Sequence, residues 1–483
     1  MKTESLLRFA PWVVALIYFI LSAQLPFWGD SIASVSKAAV RIYTEGLANP
    51  WNYPDADPGH PTLFPWMIAL FWKALGFQLW VPHLMVAILS ALLLKELILA
   101  SRLLDEKLQL WALILGSIAP LMLSQAIEIS LALPLTLLFF IAARNLKKCN
   151  TRAWVLAATA MVLVHLQGLM LLGALGFYDL LRSWPLRKSF FYRLPYYFIP
   201  LLAFGIWLYF HQRAFGWALF TPNYERGAPG LHVAIYNLFI SGWRIIDLGY
   251  FVMILPVMYR IIHHLIKKKG SDQEKLFLSL FLVLAIGIPV VFAYPPNHRY
   301  LLPIYILSIP LFLRILLPFS NKKKALILSA SFLVLLSGNL WFYPGKCLGD
   351  QNLVFLNYRP LEKQMIQDLP DSATVYSYAP LNNASLYTYL KDKRSIRYDD
   401  LYGKDYASCD WIAESNLNCE FNQNDRDSLE ALFVSHTYEN YGVFVRLWMN
   451  KKLLPTYPDF PGPDRQPGSL EKLIRILKAK FRS

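Results

Sequence analysis

The residue types that could do chemistry first appear just after the first apolar run of the chain, which ends near Leu25. Asp30 comes first, and Asp55, Asp57 and His60 follow in the same polar segment. A carboxylate can act as a general base toward a hydroxyl group, and an imidazole can present a hydrogen-bonding or positive edge to a phosphate. The pair Asp55 and Asp57 could hold a divalent cation, Mg²⁺ or Mn²⁺, through oxygen ligands. The alternatives are that Asp30 only caps a helix and that the other three residues are solvated.

Polar side chains of the same kind recur later, within or beside apolar runs. Glu128 lies near the end of one run, where a carboxylate is costly unless it faces a cavity or a partner. His298, Arg299 and Tyr300 follow two prolines, and a guanidinium is suited to bidentate phosphate binding. Gln167 lies in the middle of a long apolar run. The sequence thus predicts a second acid and several phosphate-binding side chains. The alternatives are a membrane-interface anchor for Arg299 and plain interhelical hydrogen bonding for Gln167.

The elements that must position these residues are transmembrane helices. Of the 483 residues, 56% are hydrophobic and 16% charged, whereas a soluble domain is nearer a quarter charged. Repeated apolar runs of about twenty residues predict a mainly α, multi-pass membrane protein. The runs lie at 9–25, 80–101, 108–124, 126–143, 153–181, 194–210, 243–260, 276–294, 300–318 and 325–343. The net charge of +15 does not indicate nucleic acid as a partner, because the Lys and Arg residues cluster in short loops between the runs.

The basic loops set the orientation of the chain. They lie at 144–152, 182–193, 267–269 and 322–324. The positive-inside rule places such loops in the cytoplasm. The run 153–181 has a basic loop at both ends and is too long for one crossing. It is therefore predicted to form two short helices that meet near residues 165–168 at the outer face.

Residues 63–77 are ambiguous. This apolar segment is short, is rich in Trp and carries Lys73. If it crossed the membrane, the 144–152 loop would be forced to the outer side. An interfacial helix is therefore predicted over 63–77, beside an amphipathic interfacial helix over 31–46. A crossing at 63–77 is the alternative. About eleven transmembrane helices result, with the N-terminus in the cytoplasm and the C-terminus at the outer face.

This threading collects the candidate residues at one face of the membrane. The predicted outer segments are loop 26–62, the turn 124–128, loop 211–242 and the turn 294–300. Ionisable groups that are far apart in sequence but converge at one membrane face favour a functional site.

The composition becomes polar after residue 343. Short apolar stretches bounded by turn formers alternate with helical spacing over 344–450, which predicts a small extracytoplasmic α+β domain. A Pro/Gly linker and a basic amphipathic helix are predicted over 451–483, with a solvated tail as the alternative. Cys409 and Cys419 could form a disulfide in an oxidising compartment, and two free thiols are equally compatible with the sequence.

Three motifs resemble the membrane-embedded GT-C glycosyltransferases, in particular the bacterial protein-mannosyltransferase-like and aminoarabinose-transferase-like group. They are Phe27-Trp28-Gly29-Asp30, Gly59-His60-Pro61-Thr62-Leu63 with Trp72-Lys73-Ala74-Leu75-Gly76, and His298-Arg299-Tyr300-Leu301-Leu302-Pro303. The resemblance covers roughly residues 9–343. It implies a GT-C transmembrane catalytic domain over 1–343, with Asp30 as the catalytic base and His60 near a lipid phosphate.

The resemblance also implies a reaction. A hexosyl or pentosyl group would move from a polyprenyl-phosphate-linked sugar to a hydroxyl of a lipid, glycan or protein at the outer face of a bacterial inner membrane. Such products belong to lipopolysaccharide or glycoprotein biosynthesis. One alternative is a transporter or flippase, although no inverted repeat supports it. The other is a non-catalytic partner in envelope polysaccharide assembly, because Ser31 stands where many of these enzymes carry a second acid.

Overall fold

The structure of the chain is a computed structural model. It describes residues 2–25, 27–28, 31–48, 59–183, 188–218, 231–267, 272–292, 295–341, 351–378, 397–401, 403–417, 421–458 and 460. The chain divides into two compact units. The first comprises Met1–Asn339 with Asp350–Asn352, and the second comprises Leu340–Gly349 with Leu353–Ser483.

The described part of the first unit is helical. Its helices are α1 (Lys2–Ser22), α2 (Lys37–Glu45), α3 (Leu63–Leu75), α4 (Trp80–Leu104), α5 (Gln109–Ile118), α6 (Pro120–Ile127), α7 (Ala132–Lys147), α8 (Thr151–Val164), α9 (Gln167–Arg182), α10 (Lys188–Phe215), α11 (Leu231–Ile246), α12 (Phe251–Lys267), α13 (Asp272–Val291), α14 (Leu302–Leu316) and α15 (Asn321–Gly338). A π-helical turn, Ile32–Ser36, leads into α2, and 3₁₀ turns at Glu106–Leu108 and His298–Leu301 lead into α5 and α14.

The helices have the length and surface of membrane spans. In the described residues, four helical segments are long and apolar enough to cross a bilayer: Trp80–Leu104, Phe190–Phe215, Gln273–Val291 and His298–Leu316. The segments containing α5 and α6 qualify as a pair bent by 60°, and shorter apolar helices accompany them. Apolar side chains such as Ile20 and Phe198 are largely exposed, as expected of surfaces that face lipid. The chain is a polytopic, mainly α membrane protein, as predicted; the number of eleven crossings stays a prediction.

The helix pair predicted within 153–181 is confirmed. It forms α8 and α9, and His165, between them, has an extended backbone (φ −156°, ψ 146°). Gly168 makes the close approach of the two helices possible, because a Cβ there would lie 2.4 Å from the carbonyl oxygen of Met161. The chain therefore reverses at this point without a long loop.

Two predictions around α11 are wrong. The loop predicted over 211–242 is helical from Leu231 onward, and the run 243–260 is not one helix, because α11 ends at Ile246 and α12 begins at Phe251. Leu248 and Gly249 have positive φ in this break, at 52° and 83°. Leu248 and Tyr250 are fully buried. Hydropathy does not reveal a break whose residues are themselves buried.

The second unit is a small α+β domain, as predicted. Its described elements are α16 (Tyr358–Asp368), α17 (Gln423–Leu432), β1 (Thr374–Ser377), β2 (Arg397–Asp400), β3 (Trp411–Ser415), β4 (Phe433–Asn440) and β5 (Val443–Asn450). They form a mixed sheet of order β2-β1-β3-β5-β4, in which β1 is parallel to β2 and β3, and β5 is antiparallel to β3 and β4. Residues 461–483 lie outside the described residues.

Cys409 belongs to the core of this domain. It packs with Ile412 and Trp448, and its thiol donates to the Asp405 carbonyl oxygen at 3.6 Å. Burial raises the pKa of the thiol, so the unreactive protonated form is favoured at neutral pH. Its predicted partner Cys419 lies outside the described residues.

Candidate active site

A cavity of about 420 Å³ in the first unit gathers side chains from five separate segments of the chain. It is lined by Ser31, Ser34, His60, Glu128, Ser130, Leu131, Ala132, Leu135, His165, Gln167, Arg299 and Tyr300. Five of the predicted site residues therefore lie together: His60, Glu128, Gln167, Arg299 and Tyr300. The convergence expected from the threading is present in the folded chain.

Helix beginnings surround this cavity. α7 begins at Ala132, α9 begins at Gln167, and the 3₁₀ turn that leads into α14 carries Arg299 and Tyr300. The N-terminal end of a helix carries a partial positive charge and unpaired N–H groups, both of which favour anions. The backbone thus adds to the positive potential of the side chains.

His60 and His165 form the centre of the polar wall. Their rings lie with centroids 4.0 Å apart at an angle of 34°. The Nδ1 atom of His165 accepts the backbone N–H of Gln167 at 2.9 Å. A ring nitrogen that accepts a hydrogen bond carries no proton, so His165 is neutral and its Nε2–H is the donor. His165 lies where the two helices within 153–181 are predicted to meet, and it lines the cavity beside Gln167.

Arg299 is oriented by its neighbour. Its guanidinium carbon lies 5.0 Å from the centroid of the Tyr300 ring, and Nη2 donates to the Tyr300 hydroxyl at 3.2 Å. The backbone carbonyl of Tyr300 accepts from Nε2 of Gln167 at 2.7 Å. This bond ties the turn that bears Arg299 to the first residue of α9.

The last turn of α11 holds the same turn from the other side. Nη1 of Arg244 donates to the carbonyl oxygens of Pro295 and Pro296 at 2.8 and 2.6 Å. The Nε2 atom of His298 lies 3.1 Å from a carboxylate oxygen of Asp247. His298, predicted to bind the donor, is buried against Asp247 and is not among the cavity-lining residues.

Sequence reasoning missed Arg244 and Asp247. Asp247 did carry a signal, since it is an acidic residue inside the apolar run 243–260, and such residues mark partners or cavities. Its partner, His298, was identified as a candidate by a different argument. The pairing itself could not be read from the sequence, because it depends on the break between α11 and α12.

Glu128 follows directly after α6, with an extended backbone (φ −82°, ψ 143°). Its side chain is 5% exposed and lines the cavity. Pro120 starts α6 after a 60° bend from α5, and α7 begins four residues after Glu128. The carboxylate is therefore displayed between two helix ends rather than on a helix face.

The predicted acids of the first outer loop lie outside the described residues: Asp30, Asp55 and Asp57. Ser31, the residue after Asp30, lines the cavity, and its hydroxyl donates to the Trp28 carbonyl at 2.6 Å and accepts from the Trp28 N–H at 2.9 Å. Within the described ranges, no group of three His, Cys, Asp or Glu side chains could hold a metal ion. Mg²⁺ or Mn²⁺ bound by Asp55 and Asp57 stays a prediction.

α3 supports the first loop. Phe27 packs edge-on against Trp72 at 6.3 Å, and the indole N–H of Trp66 donates to the Leu47 carbonyl at 3.0 Å. The ammonium of Lys73 lies 4.5 Å from the Tyr43 ring centroid. These contacts join α2 and α3, the two predicted interfacial helices, and place Ser31 and His60 on a common support.

Comparison with solved structures identifies the fold. Two crystal structures of ArnT from Cupriavidus metallidurans, one bound to undecaprenyl phosphate and one in the apo state, match with a TM-score of 0.55. Each match covers 92% of this chain and 98% of the ArnT chain, at 12% sequence identity. This chain has the GT-C fold of ArnT. The resemblance drawn from three short motifs is confirmed at the level of fold. No protein family and no curated relative matches the sequence.

Proposed function

We propose that the protein is a glycosyltransferase that moves a sugar from a polyprenyl-phosphate carrier to a hydroxyl acceptor. The observation that carries this proposal is the convergence of Glu128, His60, His165 and Arg299 in one cavity of a GT-C fold. These groups supply the two functions that sugar transfer from a phosphate requires: stabilisation of a departing anion and activation of a hydroxyl.

The departing group is a lipid phosphate, whose negative charge grows as the sugar–oxygen bond breaks. Arg299 can donate two parallel hydrogen bonds to its oxygens, and His60 and the Nε2–H of His165 can add further donors. The beginnings of α7 and α9 favour the same charge. Gln167 and Tyr300 hold the turn that carries Arg299 and line the same cavity.

The acceptor hydroxyl needs a base. Asp30 is assigned this role, because it precedes the cavity-lining Ser31 and matches the family motif. Glu128 is the second candidate acid, and it occupies the same cavity as the proposed phosphate ligands. A divalent cation on Asp55 and Asp57 would add a further positive charge on the leaving phosphate.

The proposed setting is the outer face of a bacterial inner membrane, with the N-terminus in the cytoplasm and residues 344–450 on the outer side. Residues 1–343 would carry the chemistry. The described helices that end at Lys147 and Arg182 begin at the cavity, so the basic loops lie at the opposite end, as the positive-inside rule requires for a periplasmic site. ArnT binds undecaprenyl phosphate; a carrier of that class is proposed for this protein, with an acceptor in lipopolysaccharide or glycoprotein synthesis.

Mass spectrometry of the lipid and glycan pools tests the proposal. Cells that lack the gene are expected to accumulate one polyprenyl-phosphate sugar and to lose the corresponding sugar from one acceptor. Complementation with Arg299→Gln should leave both changes in place, whereas wild-type protein should reverse them. Movement of a lipid-linked sugar across the membrane without any missing glycosidic bond would instead identify a flippase and contradict the proposal.

A further inference from the structure

A second hollow lies at the opposite end of the helices that form the active-site cavity. α7 and α9 each begin at that cavity, and Lys147 and Arg182 end them. Fifteen residue steps of helix separate Ala132 from Lys147, which corresponds to about 22 Å at 1.5 Å per residue. The hollow at the far end, here called the basic-end cavity, is therefore separate from the proposed site of sugar transfer.

The basic-end cavity consists of two adjoining spaces of about 470 and 570 Å³ that share Lys147, Tyr178 and Phe277. One side is apolar, formed by Phe139, Phe140, Leu280 and Leu307 among others. The other side is polar, formed by Glu96, Arg144, Lys147, Arg182 and Gln273, and it remains basic once Glu96 is paired with Arg144. A site with one basic wall and one apolar wall is suited to an amphiphile that carries a negative charge.

The basic wall carries charge that is not neutralised within the described residues. Arg144 is paired with Glu96 through two hydrogen bonds of 2.7 and 2.9 Å. Lys147 donates only to the neutral amide oxygen of Gln273, at 2.6 Å. Arg182 donates to the Leu146 carbonyl and to the Cys149 sulfur. Neither Lys147 nor Arg182 has a carboxylate partner in the part of the chain that the structure describes.

The helix ends do not remove this excess. The Leu146 carbonyl belongs to the last turn of α7, and its partial negative charge offsets only part of the Arg182 charge. The C-terminal end of α9 adds a second partial negative charge, and the beginning of α13, which contributes Gln273, Leu276 and Phe277 to the same cavity, adds a partial positive charge. Lys147 and Arg182 therefore leave net positive charge at this end of the helices.

We infer that the basic-end cavity binds one anionic phospholipid of the membrane, with its phosphate between Lys147 and Arg182 and an acyl chain against Phe139, Phe140 and Leu280. The apolar wall favours a lipid over free phosphate, which would leave that wall unused. The positive-inside rule places this end in the cytoplasm, where anionic lipids are abundant and basic pockets between helices bind their headgroups. The inference does not depend on the proposed sugar transfer.

Native mass spectrometry of the delipidated full-length protein in nonionic micelles tests it. Dioleoylphosphatidylglycerol, dioleoylphosphatidylcholine and inorganic phosphate are added in separate titrations. The wild-type protein is expected to retain one phosphatidylglycerol with at least tenfold preference over phosphatidylcholine. The double variant Lys147→Gln, Arg182→Gln should bind phosphatidylglycerol about 25-fold more weakly, from about fivefold for each cation.

Two further variants make the result specific. Lys148→Gln with Arg152→Gln removes the same charge from exposed neighbours that do not line the cavity, and it should keep the preference. The double variant Lys147→Arg, Arg182→Lys keeps both positive charges and should also keep the preference for phosphatidylglycerol. It shows whether substitution at these two positions disturbs folding. Equal retention of the two lipids by the wild-type protein would overturn the inference. The inference would also be overturned if the Lys148, Arg152 variant lost as much phosphatidylglycerol binding as the Lys147, Arg182 variant. Displacement of phosphatidylglycerol by micromolar inorganic phosphate would overturn it as well.

Discussion

The imidazole rings of His60 and His165 lie with centroids 4.0 Å apart and are tilted by 34°, although they come from the segment before α3 and from the break between α8 and α9. His165 is held neutral by the bond from the Gln167 N–H to its Nδ1. This pair joins the segment before α3 to the break between α8 and α9. It brings His60 of the second motif into the cavity that Arg299 also lines.

Replacement of His60 by Gln should lower sugar transfer while leaving the protein folded. The imidazole would no longer supply hydrogen bonds to the departing phosphate, and loss of one such donor costs on the order of 100-fold in kcat. The measurement is turnover of a polyprenyl-phosphate sugar by purified protein. His232→Gln changes an exposed histidine on α11 and should have no effect. A His60→Gln enzyme as active as that control would remove His60 from the site.

Arg299→Gln should have a larger effect, on the order of 100- to 1000-fold in kcat/KM, because it removes a fixed positive charge and a bidentate donor. Arg299→Lys should recover only part of the activity, since an ammonium cannot form the same paired bonds.

Arg213→Gln is the matched control for Arg299→Gln. Its guanidinium also lies over a tyrosine, with its central carbon 5.6 Å from the Tyr209 ring centroid, but it is exposed on α10. If the Arg213 variant lost as much activity as the Arg299 variant, the loss would reflect disturbed Arg–Tyr contacts rather than phosphate binding.

Gly168→Ala should reduce activity by on the order of 100-fold. The new methyl group would lie 2.4 Å from the Met161 carbonyl oxygen, so the start of α9 must move, and with it Gln167 and the neighbouring His165. Steady-state kinetics would show the loss. Gly173→Ala, on the same helix with open space around its Cβ, should be active and at least as stable. Full activity of Gly168→Ala would show that the exact position of this helix start is unimportant.

Glu414→Gln should destabilise the α+β domain by about 3–5 kcal/mol. The Glu414 carboxylate is fully buried and accepts from Arg426 Nε at 2.8 Å and from the Trp448 indole at 3.2 Å. Its loss leaves the partly buried Arg426 guanidinium, whose side chain is 21% exposed, without its anion. Asp410→Asn is the control, because Asp410 forms an ion pair with Lys452 at 2.9 Å in which both side chains are about half exposed. Its loss should cost less than about 1 kcal/mol. Denaturant titration followed by Trp fluorescence compares the two, and equal midpoints would contradict the role assigned to Glu414.

The sequence supported the prediction of the helical membrane fold and of the convergence of polar residues from distant segments, whereas their position at the outer face stays a prediction. The break at His165 followed from charge at both ends of one apolar run, and Glu128 and Arg299 were found because ionisable groups are rare in such runs. The fold assignment rested on three motifs, and residues from each lie in or beside the cavity. His60 and Arg299 line it, and Trp28 is hydrogen-bonded to the lining residue Ser31.

Other features depend on packing that is silent in the sequence. The break between α11 and α12 is filled by the buried apolar residues Leu248 and Tyr250, so hydropathy alone does not reveal it. The roles of Arg244 and Asp247 as supports for the turn at Pro295 and His298 arise only once that break is formed. The π-helical turn at Ile32–Ser36 is likewise a local deviation that helical periodicity over 31–46 does not predict.

The most direct test of the central claim is release of free polyprenyl phosphate by the purified protein from a total lipid extract of its host, with and without Asp30→Asn. The product is the same whichever sugar is transferred, so liquid chromatography with mass spectrometry can detect it before donor and acceptor are known. We predict steady release with formation of a new glycosidic bond by the wild-type protein, and loss of at least 1000-fold in the folded Asp30→Asn variant. Undiminished release by the variant, or no release by the wild-type protein when its acceptor is present, would contradict the account.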